Sequence, residues 1–113
     1  MPKAQFGIIE HVEETSEFKY DPEKYGCIPI NDDYLDDWWS RLSIMKTYFH
    51  CLSRPELGLA RYGITLIPPE SLPLFQDIVL SDPRINQDDH LPALAYLLQK
   101  AIEKNKYVIH FGI

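Results

Sequence analysis

The stretch from Asn31 to Leu52, NDDYLDDWWSRLSIMKTYFHCL, constrains the fold more than any other part of the chain. Its apolar residues Leu35, Trp38, Leu42, Met45, Phe49 and Leu52 recur at alternating steps of three and four, the spacing of one stripe along an α-helix. A helix built that way must bury its stripe, so the segment predicts one long helix that organises the core. Asn31 or Asp32 is its expected N-cap. Asp33, Asp36 and Asp37 fall in its first turns, where the helix dipole favours negative charge, and Pro55 ends it.

The remaining segments read as shorter elements around this helix. Gln5–Glu10 is an expected strand, followed by a polar run, residues 11–24, that predicts a mobile acidic loop. Tyr25–Ile30 is a second strand, and Pro29 within it points to a sheet edge because proline cannot donate to a ladder. Residues 56–61 form a connector containing Gly58, and the β-branched run Tyr62–Ile67 is a buried strand that ends at Pro68-Pro69. Ser71 then caps a short helix with Pro73 in its first turn and Leu72, Phe75, Ile78 and Val79 facing inward. A third helix starts near Asp89 with Leu91, Leu94, Ala95, Leu98, Ala101 and Ile102 on its stripe. Tyr107–Ile113 is the last strand; Tyr107, Ile109 and Phe111 take one face and Val108 and His110 the other, the pattern of a central strand.

The expected fold is therefore α+β: a small mixed or antiparallel sheet of about four strands packed against three helices, in the order β-β-α-β-α-α-β. At 113 residues and 45% hydrophobic content, residues 1–113 are expected to form a single compact domain. No run approaches the roughly 18 to 20 apolar residues of a membrane span. The amino-terminal segment, MPKAQFGIIEHVEE, has no apolar signal-peptide region, so a cytoplasmic location is expected. Cys27 and Cys51 fit that reading as buried thiols rather than a disulfide.

Charge is unevenly distributed. Of the net charge of −6, residues 1–40 carry −7, from ten acids against three lysines, and the rest of the chain +1. Such a field repels phosphate backbones, which argues against nucleic acid, and steers a basic partner inward.

Asp32, Asp33, Asp36 and Asp37 spell D-D-x-x-D-D, which resembles the diphosphate-binding helices of prenyl-chain synthases. The resemblance stops at those letters, since such enzymes need a large helical cavity and a second acidic motif. Capping and a solvated acidic face account for the four residues, and no metal is expected at them. His50 and Cys51 are about 100° apart on a helix and cannot both hold one ion. The chain contains no Cys-x-x-Cys, H-E-x-x-H, G-x-S-x-G or glycine-rich phosphate loop, so neither catalytic residues nor a cofactor are assigned. Trp39 and Tyr48 fall at the margins of the helical stripe, where aromatics serve a wide core or anchor an interface.

The expected function is that of a small non-enzymatic protein-binding domain. Its candidate surface comprises Asp32, Asp33, Asp36, Asp37, Trp39 and Tyr48, and one concrete form is a bacterial immunity-type inhibitor of a basic partner. One rival is a small ligand-binding domain or enzyme, with a pocket between the sheet and the long helix that uses His110 and Tyr107. Another is a structural subunit that self-associates through Trp39 and Tyr48.

Overall fold

The computed structural model describes residues 3–9, 26–49, 55–60 and 63–112. Six strands form one antiparallel sheet: β1 Lys3–Ile9, β2 Ile28–Asn31, β3 Lys46–Phe49, β4 Pro55–Leu57, β5 Gly63–Ile67 and β6 Tyr107–Gly112, in the spatial order β2-β1-β6-β5-β3-β4. Three helices, α1 Asp32–Leu42, α2 Leu72–Leu80 and α3 His90–Lys104, pack on one face. The α+β class and the three helices are as expected, and the sheet is antiparallel, one of the two expected alternatives. The sheet is larger than the expected four strands.

Of the two additional strands, β3 comes from the second half of the expected long helix and β4 from the chain that follows it. α1 ends at Leu42, and the chain re-enters the sheet as β3 four residues later. The hydrophobic period changes there from 3.6 to 2: Lys46 is exposed, Thr47 buried, and Tyr48 and Phe49 half-buried. A β-branched residue followed by two aromatics favours the pleated conformation once a partner strand is available. The partner is β4, which runs from the expected helix stop Pro55 into the expected connector, with Lys46 opposite Leu57 and Thr47 opposite Glu56. Gly58 makes the pairing possible. Its φ of +74° is ordinary only for glycine, and a Cβ there would lie 3.3 Å from the Leu42 carbonyl oxygen. From that position its N–H donates to the Met45 carbonyl at 2.7 Å. Leu35, Trp38, Leu42 and Met45 are all buried, so the stripe keeps its core role although the helix stops halfway along it.

The other elements follow local chemistry. Asn31 caps α1 by accepting from the Asp33 N–H at 2.9 Å. Ser71 precedes α2 without capping it; its hydroxyl donates instead to the Lys46 carbonyl at 2.6 Å, tying the helix start to β3. α3 closes on Asn105 in the left-handed conformation, with the Lys106 N–H donating to the Ala101 carbonyl at 2.9 Å. β2, which carries Pro29, is an edge strand, and β6 lies in the interior between β1 and β5.

Side chains alternate across the sheet. Ala4, Phe6, Ile30, Ile67 and Val108 meet the helices in the main core, whereas Ile9, Ile64, Leu66, Ile109 and Phe111 form a second buried cluster on the opposite face. Cys27, Tyr48 and Tyr107 pack against that second cluster. The expected acidic loop, His11, His50 and Cys51 lie outside the described residues. Among the described residues, no helix is long and apolar enough to cross a membrane.

Candidate functional site

The most elaborate polar assembly among the described residues is built where α1 meets the chain between α2 and α3. Trp38 points inward from α1, and its indole N–H donates to Asp82 Oδ2 at 2.7 Å. Asp82 is 3% exposed and caps the turn that follows by accepting from the Arg84 N–H at 2.8 Å. The Arg84 guanidinium then grips the same carboxylate with two parallel bonds, Nε to Oδ1 at 2.9 Å and Nη2 to Oδ2 at 2.7 Å. A buried carboxylate held in this way stays ionised. Its hydrogen bonds from Arg84, chiefly those of the guanidinium, outweigh burial and hold it well below the usual carboxylate range.

Arg84 links this buried charge to the surface. It lies 3.0 Å from Asp37, which is largely exposed, and its guanidinium carbon sits 4.1 Å above the ring of Tyr34. The Tyr34 hydroxyl donates to Asp88 Oδ2 at 2.7 Å, a bond that, with burial and the Asp88 charge, raises the phenol pKa. Three residues of α1, at positions 34, 37 and 38, are therefore fixed by Asp82, Arg84 and Asp88. The helix cannot rotate without breaking a charged pair.

This anchoring sets where the acidic residues stand. Asp33, Asp36 and Asp37 are exposed on α1, Asp32 is half-buried at its start, and Asp89 is exposed at the start of α3. Trp39 packs at the edge of the main core, whereas Tyr48 lies in β3 against the cluster on the far face of the sheet. The two aromatics do not form one helix margin. The reason is the end of α1 at Leu42, which moves Tyr48 into a strand.

His110 and Tyr107 are separated in the same manner. His110 faces the helices and is 1% exposed, with Nδ1 3.3 Å from Thr65 Oγ1 and its ring 4.8 Å from that of Phe6. Burial alone pushes its pKa down to about 3. Tyr107 is on the opposite face, where burial, Tyr48 and Glu70 raise its pKa. The two do not line one pocket. A groove between helix and sheet does exist elsewhere: a space of about 330 Å³ lined by Ile8 and Ile28 of the sheet and Ala93, Tyr96, Leu97 and Lys100 of α3. Among the described residues, no three His, Cys, Asp or Glu side chains come together to hold a metal ion.

Asp82 and Arg84 were not legible as members of a site. They stand more than forty residues from Trp38 in the chain, and an aspartate before a proline reads as ordinary turn chemistry. No protein-family model matches the chain, and no curated protein or solved structure matches it.

Proposed function

We propose that this chain is a non-enzymatic protein-binding domain whose α1 presents an acidic face to a basic partner, in its concrete form an inhibitor of the immunity type. The observation that carries the reading is the rigid display of Asp33, Asp36 and Asp37 on a helix pinned through Tyr34, Trp38 and Arg84. A surface fixed before encounter loses little conformational entropy on binding, and its net negative charge accelerates the approach of a basic partner. Asp88 and Asp89 extend the same sign beside Tyr34.

Capture from a cell lysate at low and high salt identifies the partner, and association kinetics then test the reading. The association rate is expected to fall about tenfold from low to high salt, with dissociation changing much less. Asp33→Asn with Asp36→Asn should reproduce part of that fall. An on-rate indifferent to both salt and the substitutions rejects the acidic face as the contact.

The groove on α3 favours a second reading, ligand binding. Its walls are largely apolar, and Lys100 lies at its margin with Nζ 5.5 Å from the ring centre of the exposed Tyr96. Its volume of about 330 Å³ is at the small end for a ligand pocket. Leu97→Trp, which fills the groove, separates the two readings: it leaves the acidic contact intact and abolishes binding at the groove.

A further inference from the structure

The main core runs out at one corner of the sheet. On the helix-facing side of β1 and β2, Ala4, Phe6 and Ile30 are buried, whereas Ile8 and Ile28 are only half-buried. Ile8 stands opposite Val108 of β6, which is fully covered, so the exposure begins at β1 and continues onto the edge strand β2. These two isoleucines form an apolar floor with α3 beside it.

The helix leaves this floor uncovered for a reason visible in its residues. α3 buries one stripe, Leu91, Leu94, Leu98 and Ala101, in the core, and turns a neighbouring one, Ala93, Tyr96, Leu97 and Lys100, toward the corner. Ala93 is small and Tyr96 is 66% exposed, so neither fills the space between helix and sheet. Gly26 completes the wall with a φ of +59°, and nothing lies within 4 Å of where its Cβ would stand. Every residue that lines the groove belongs to the described part of the chain.

Lys100 is the one charged residue in that lining. It is half-buried, its Nζ stands 5.5 Å from the Tyr96 ring centre, and among the described residues no carboxylate pairs with it. Glu103, one turn further along α3, accepts from Gln99 Nε2 at 3.2 Å instead. A half-buried ammonium gains more from an anion than an exposed one does, because less water competes. One positive charge matches a monoanion and would leave a phosphate dianion half-neutralised, while a cationic ligand would be repelled. The dimensions limit the rest of the molecule. From Ala93 to Lys100 the helix rises about 10 Å. The space of about 330 Å³ equals roughly ten water volumes of about 30 Å³ each.

We propose that this groove binds a free medium-chain aliphatic carboxylate of about eight carbons, its chain laid along Ile8, Ile28 and Leu97 and its carboxylate on Lys100 Nζ. The chain covers the half-buried isoleucines, and the carboxylate supplies the counter-charge that Lys100 lacks among the described residues. The assignment rests on the reading of the groove as a ligand site and is independent of the acidic face of α1.

Octanoate titrated into the full chain below its micelle-forming concentration, and followed by amide and methyl NMR, tests this. Saturable shifts are expected at Ile8, Ile28 and Leu97, and affinity should rise about fourfold per added methylene from hexanoate to octanoate. Lys100→Met keeps most of the stem and removes the charge. It should weaken octanoate about tenfold and leave octanol, which carries the same chain, unchanged. Leu97→Trp should abolish binding of both. Should that variant fail to fold, Ala93→Phe fills the same space from a half-buried position outside the core cluster. Octanoate that binds no tighter than octanol, or whose affinity survives Lys100→Met, overturns the carboxylate assignment and leaves the groove a ligand site. Absence of saturable shifts with either probe, or shifts that both filling variants leave unchanged, overturns the groove reading as well.

Discussion

Asp82→Ala is expected to destabilise the domain by about 3 to 4 kcal/mol, enough to unfold a large fraction of a marginally stable protein. Three losses combine. The Trp38 indole N–H is left buried without its acceptor, which costs about 1 to 3 kcal/mol. The turn at Pro83–Asn86 loses its cap, worth about 1 kcal/mol. Arg84 keeps Asp37 and the Tyr34 ring, and because the guanidinium is partly exposed, water offsets much of that third loss. Urea unfolding measures the sum. Trp38→Phe keeps most of the packing and removes only the indole donor, so its own cost should be about 1 to 2 kcal/mol. The double variant should cost less than the two single changes together, since both remove the same bond. Strict additivity would show that Trp38 and Asp82 do not depend on each other.

The same carboxylate shapes the acid limb of stability. Its pKa is depressed in the folded state, so its contribution is complete above the ordinary value of 3.8 and fades as pH falls below it. His110 weakens the fold at higher pH, from about 6.5 downward, because its folded pKa is also depressed while its charged form is the unfavourable one. The two groups act in successive windows, histidine first.

What could be read from the residues alone was whatever local chemistry decides. Pro29 marks the β2 edge, the stripes of α2 and α3 name buried residues, and the alternation in Tyr107–Ile113 points to the interior strand observed at Tyr107–Gly112. The extent of α1 was not legible. Leu42, Met45 and Phe49 fit a helical period by coincidence, because a turn of three residues followed by a strand keeps the same spacing. The decision was made by Gly58, which lies beyond the segment in sequence and whose backbone closes on Leu42 and Met45. The anchoring of the acidic helix was hidden for the same reason: Asp82 and Arg84 become partners of Trp38 and Asp37 only after α2 has packed.

A comparison of Trp38→Ala with Phe49→Ala separates a helix that ends at Leu42 from one that continues. Trp38 is 1% exposed, packs beside Phe75 and Tyr34, and holds Asp82. Its truncation should cost about 3 to 5 kcal/mol through the lost area, the cavity and the stranded carboxylate. Phe49 is half-buried in a strand near the sheet edge, so the same truncation removes less buried surface and leaves a site open to water. About 1 to 2 kcal/mol is expected, from part of the transfer free energy and little cavity term. One continuous helix would place both residues on the same buried stripe and give both changes the same large cost. Urea midpoints that fall equally for the two variants would therefore overturn the β3 assignment.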